Sequence, residues 1–268
     1  MAMAIDPLRF DDGLARWLPA LMQLASPALP IGSFSYSQGL EAAAWADLVT
    51  DEASAWAWID SHWRQSFAVR ELPAVHEAAR LLAQATLDLE PNGDALGAGA
   101  VFGHGPGASA SDRTSDEAKL RERLATLDER FMASRDSQEA RSETRQVGAA
   151  LLRWLGTLHG EGLAHRLAKA VSARHNGLCA PTAFALCGHA QGLPPAATRF
   201  AWGYSWIENQ VQAAVKIVPL GQSAGQRLLM NLRERLADPP DDEAWSFSPM
   251  ASVMAMRHER QYTRLFRS

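Results

Sequence analysis

The chain has 268 residues, of which 47% are hydrophobic and 21% charged, with a formal net charge of −4. That is the balance of a globular protein with enough length for a sizeable core, and two cysteines are too few for a disulfide scaffold. The mild negative charge supplies no global positive field to hold nucleic acid or an anionic membrane.

Along the chain the dominant pattern is helical. The first residues carry acids where a secretory leader would be basic, and no run approaches the ~20 apolar residues that span a bilayer, so a cytoplasmic location is expected. Pro27 and Pro30 stop any helix begun at Leu18. Gly32 permits a tight turn, and Ser37 is placed to cap a helix through Leu40 and Trp45. From Asp51, the residues Trp56, Ile59, Trp63 and Phe67 recur at three- and four-residue steps on one face. Pro73 interrupts, and a second helix carries Val75, Ala79 and Leu82. Residues 90–115 are rich in Gly, Ala, Ser and Pro, which predicts a flexible insertion between helices. Its Gly-x-Gly patterns lack the following helix that a dinucleotide site requires.

Beyond the insertion, Leu120, Leu124, Leu127 and Phe131 form one stripe from about Asp116 to Ala133. Val147, Leu151 and Leu155 form another between Ser137 and His159. The clearest stripe runs from Pro195 to Val218 through Phe200, Tyr204, Ile207, Val211, Ala214, Val215 and Val218. A last helix is expected from Gln222 to Leu236, closed by Asp238-Pro239-Pro240. Period-two alternation is absent and alanine is abundant, so the expected fold is all-α. It is a single helical-bundle domain of roughly eight to ten helices.

Enzyme signatures are missing. There is no H-E-x-x-H and no G-x-S-x-G. The nearest approach to a phosphate-binding loop, Gly221 to Arg227, lacks its lysine and hydroxyl. No catalytic residue is assigned. His175, Cys179, Cys187 and His189 fall close enough to be weak metal candidates. Their spacing matches no common structural zinc pattern, and one helix cannot converge all four on a point. A metal-dependent hydrolase and a DNA-binding regulator remain as rival readings, the second disfavoured by charge and the lack of a helix-turn-helix.

Three stretches do not read as ordinary amphipathic helix. Gln23 to Glu41, QLASPALPIGSFSYSQGLE, sets the aromatics Phe34 and Tyr36 on an irregular loop. Val211 to Gln226 holds Lys216 in an apolar helix that ends before Pro219, with Gln222 beyond it. From Arg257 to Ser268, four arginines stand against one glutamate, a net side-chain charge of +3. This basic tail suits a segment that orders on a partner.

Together these stretches resemble the UreF family of urease accessory proteins. The run Gln23–Glu41 is similar to the family's N-terminal signature. Ala133-Ser134-Arg135 through Glu143, Arg145, Gln146 and Gly148 is similar to its central pattern. V-Q-A-A-V-K-x-V-P-L-G-Q and H-E-R-Q-Y-T-R-L-F-R-S match its late helix and its end. The resemblance implies a non-catalytic scaffold that forms homodimers, binds UreD (also called UreH) and recruits and regulates the GTPase UreG. It implies nickel insertion into apo-urease, with no intrinsic cofactor and nickel handled by the assembled complex. It places partner contacts at Lys216, Gln222, Tyr262, Arg264 and Phe266, with no resident metal site, and the irregular loop and basic tail add Phe34, Tyr36, His258 and Glu259 as candidate partner contacts. Membrane and nucleic-acid partners are not expected. The departure is the 90–115 insertion, since family members connect those helices more briefly.

Overall fold

The computed structural model describes residues 12–89, 110–158, 162–175, 177–238 and 248–267, and among them there are helices and no strand. The fold is all-α. Its helices are α1 (Asp12–Ala25), α2 (Leu40–Trp45), α3 (Glu52–His62), α4 (Leu72–Leu89), α5 (Ala110–Ala133) and α6 (Gln138–Leu158). They continue as α7 (Leu163–His175), α8 (Ala180–Ala190), α9 (Pro195–Ile217), α10 (Gln222–Leu232) and α11 (Pro249–His258). Residues 90–109 of the expected insertion lie outside the described residues. Residues 110–115, assigned to the same loop from composition, form the start of α5.

The centre of the fold is α8. From Ala180 to Gly188 every residue is buried, which is how a helix apolar on all sides must sit. It packs against α4, α6, α7 and α9. The approach of α6 is close enough to need a glycine: a Cβ on Gly148 would lie 2.0 Å from the Leu178 carbonyl oxygen. The stripes read from periodicity supply much of the core, with Ile59, Val75, Leu82, Leu124, Leu151, Leu155, Ile207 and Val211 all buried. Each aliphatic side chain fully buried in this way contributes about 1.5–3 kcal/mol. Phe200 departs from its stripe and is 44% exposed, because Ala197, Thr198 and Ala201 around it take the buried face of α9.

Local chemistry explains several boundaries. Asp51 accepts from the Ser54 N–H at 2.8 Å and the Ser54 hydroxyl accepts from the Asp51 N–H at 3.1 Å, a capping box that starts α3. Pro73 does not interrupt the helix as expected. A π-helical stretch, Trp63–Glu71, joins α3 to α4, and Pro73 falls in the first turn of α4. There the wider turn has already changed register, so the missing N–H and the ring are tolerated. The end of α9 follows expectation: Val218 is extended, as the residue before a proline prefers, and Pro219 comes next.

Candidate functional site

The loop after α1 is folded tightly on itself. The Ser26 hydroxyl accepts from the Ala28 N–H at 3.1 Å, and the Ser35 N–H donates to Gly32 O at 3.0 Å. Gly32 has φ +70°, and Gln38 and Gly39 are consecutive left-handed residues at φ +52° and +87°. Gly39 is required twice over, because a Cβ there would also lie 3.0 Å from the Ala255 backbone nitrogen of α11. Ser37 is not the N-cap of α2; Gly39 is, though the Ser37 hydroxyl accepts from the Glu41 N–H at 3.3 Å.

This geometry aims polar side chains into the seam between α6 and α9. The Gln38 amide donates to Glu143 at 2.7 Å and accepts from the Trp206 indole N–H at 2.7 Å. The Tyr36 hydroxyl donates to Gln146 at 2.9 Å. Asn209, on α9, donates to the carbonyls of Ser33 and Tyr36 at 3.0 and 3.2 Å. Below the seam, Arg135 is paired with Glu71, both buried, and its guanidinium lies 5.0 Å from the Phe131 ring centroid. The central motif arginine therefore holds the π-helical stretch to the end of α5.

The C-terminal segment closes over the same region. Its first two expected residues, Arg257 and His258, belong to the last turn of α11, and the chain beyond them turns back across α2 and α6. Glu41 gathers it: one carboxylate oxygen accepts from the Leu265 N–H at 2.7 Å and the other from the Phe266 N–H at 2.9 Å. His258 lies between two carboxylates, with Nε2 3.0 Å from Glu41 and Nδ1 3.4 Å from Glu139. Arg264 donates to Glu139 at 2.8 Å, and Glu259 accepts from the Glu139 N–H at 3.2 Å. Burial lifts the Glu139 carboxyl above its usual range, against the pull of His258 and Arg264. The Lys216 ammonium sits 5.9 Å from the Phe266 ring centroid, a cation–π contact that links the late helix to the tail.

The residues singled out from sequence thus divide into two groups. Tyr36, His258 and Phe266 are buried within the chain, His258 completely. Phe34 and Glu259 are half-buried, while Lys216, Gln222, Tyr262 and Arg264 are exposed. Tyr262, Arg264 and Leu265, the last 65% exposed, lie on the segment that the buried members anchor, Lys216 reaches it through Phe266, and Gln222 stands apart at the start of α10. Glu41, Glu139 and Asn209 are anchoring positions that the sequence did not single out. Glu41 carries a local signal, a charged residue between Leu40 and Ala42, whereas Glu139 and Asn209 have polar neighbours and carry none.

The family model described as UreF matches residues 49–233. The chain belongs to the UreF family. Membership of this family implies a urease accessory role. The match runs from two residues before Asp51, the cap of α3, to the residue that follows α10. In this UreF-family chain it therefore includes the Arg135–Gly148 motif, Lys216 and Gln222, and stops short of the N-terminal turn and the tail.

The weak metal candidates are not brought together. Cys179 and Cys187 are fully buried near opposite ends of α8, and burial pushes both thiols far up, away from the thiolate that binds metal. Burial also lowers His189, to about 4. The side chain of His175 lies outside the described residues. Among the described residues no group of three or more His, Cys, Asp or Glu side chains is placed to hold a metal ion, and no helix is long and apolar enough to cross a membrane.

Proposed function

We propose that this UreF-family protein is a non-catalytic scaffold of urease maturation. It binds UreD (UreH), recruits and regulates the GTPase UreG, and serves the insertion of nickel into apo-urease. It works as a homodimer in the cytoplasm, with nickel as the cargo of the assembled complex and no cofactor of its own. The observation that carries this reading is the meeting of the N-terminal turn, the central motif on α6, Lys216 and the C-terminal segment on one face. An enzyme that needed such a face for chemistry would cluster reactive groups on it. Here the groups are engaged in anchoring, and what they present outward is Tyr262, Leu265 and arginine, the residue types of a protein-binding surface.

The test is co-expression with UreD and UreG from the same source, tandem purification and size-exclusion chromatography. A stable complex of all three chains is expected. In the same experiment a chain ending at His258 keeps α11, folds, and fails to assemble. Folded protein that forms no complex with competent partners removes the scaffold reading, and normal assembly of the shortened chain removes the tail from it.

A further inference from the structure

Three buried polar side chains line one small cavity beside the Ser33–Tyr36 turn. The cavity measures about 40 Å³, and its walls include Glu71, Arg135, Glu143, Trp202 and Asn209. Arg135, Trp202 and Asn209 are each more than nine-tenths buried, at 9%, 8% and 8% exposure. Their outer contacts lock them in place: Arg135 is paired with Glu71, Asn209 donates to the turn, and the Trp202 ring packs 4.8 Å from Phe184. Yet Arg135 Nε, Trp202 Nε1 and Asn209 Oδ1 are all buried and have no hydrogen-bond partner among the described residues.

Orphaned buried polar atoms are rare, and three around one cavity call for a shared partner. Two are donors and one is an acceptor, so the partner must both accept and donate. A metal cation meets a guanidinium and an indole N–H. An anion meets the Glu71 and Glu143 carboxylates and the Asn209 oxygen. Water satisfies all three atoms, and the volume exceeds the roughly 10–15 Å³ that one molecule needs. A second cavity of about 50 Å³ shares Gln38, Phe67, Glu71, Arg135 and Glu143 with the first. Its walls include Arg70 and His62, whose Nε and Nδ1 atoms are likewise without a hydrogen-bond partner among the described residues.

We propose that these cavities are a built site for internal water, bridging the Glu71–Arg135 pair and Trp202 to the Asn209 side chain that holds the Ser33–Tyr36 turn. The N-terminal turn is then fixed to the core partly through solvent that belongs to the fold.

A high-resolution crystal structure of the full chain, from crystals grown with bromide, tests this. Water peaks without anomalous signal are expected within hydrogen-bonding distance of Trp202 Nε1, Arg135 Nε and Asn209 Oδ1. A bromide or metal peak there, a dry cavity, or protein groups bonded to those atoms overturns the proposal. In solution, protein labelled with ¹⁵N-tryptophan should show an Overhauser effect between the Trp202 indole proton and long-lived water. Trp202→Phe serves only to assign that resonance. Its absence in folded protein overturns the proposal as well.

Discussion

Glu41 is the residue on which the C-terminal segment turns. A single buried carboxylate accepts from two backbone amides 224 and 225 residues away and faces His258. Hydrogen bonds to a charged acceptor contribute about 1.5–3 kcal/mol, against about 0.5–1.5 for neutral pairs. Glu41→Gln keeps the shape and removes the charge and one acceptor oxygen. Hydrogen exchange at Leu265 and Phe266 is expected to quicken by about tenfold, with the α9 amides unchanged. Wild-type exchange rates at both amides would show that Glu41 does not hold the tail. Arg135 teaches a different lesson at the same scale. It lies in the family's central motif, yet it is buried against Glu71 and Phe131, so its place in the motif reflects the architecture beneath the face.

Among the elements, the joint between α6 and the segment leading into α8 is the least forgiving. Gly148 meets backbone, not the end of a flexible side chain: an added Cβ would lie 2.0 Å from Leu178 O and 3.0 Å from its carbon. The helices must part or α6 must bend. Overpacking of this kind costs about 1–3 kcal/mol, and backbone neighbours put it at the upper end. Gly148→Ala is therefore expected to lower the melting temperature by several degrees (about 2–4 °C per kcal/mol at this size). An unchanged melting temperature would mean that the helices approach less closely than described. The π-helical stretch shows the opposite tolerance, since its wider turn carries the chain past Pro73 without ending the helix.

For the molecule as a whole, two half-buried histidines contribute a pH dependence. His62 is lowered from 6.5 to about 3, first by burial and then by Arg70 and Arg135, and burial alone lowers His189 to about 4. Each is neutral in the folded state and takes up a proton on unfolding below its ordinary value. Their contribution is therefore complete above about pH 6.5 and is lost as pH falls toward the folded values. Urea unfolding at stepped pH should show stability declining between about pH 7 and pH 5, by on the order of 1–2 kcal/mol for each histidine. A flat profile over that range would count against both burials. At this scale the division between sequence and structure is also plain. By itself the sequence determined the all-α class, the α3 start at Asp51, the stripes of α4, α5, α6 and α9, and the stop before Pro219. All of these depend on residues within a few turns of one another, where periodicity, capping and proline chemistry act. Only the tertiary structure decided that Tyr36, His258 and Phe266 are anchors while Tyr262 and Leu265 face outward. An aromatic or ionisable side chain on an irregular segment is equally compatible with either fate. What settles it is a partner such as Glu41, Glu139 or Gln146, brought in from a distant element by the packing around α8.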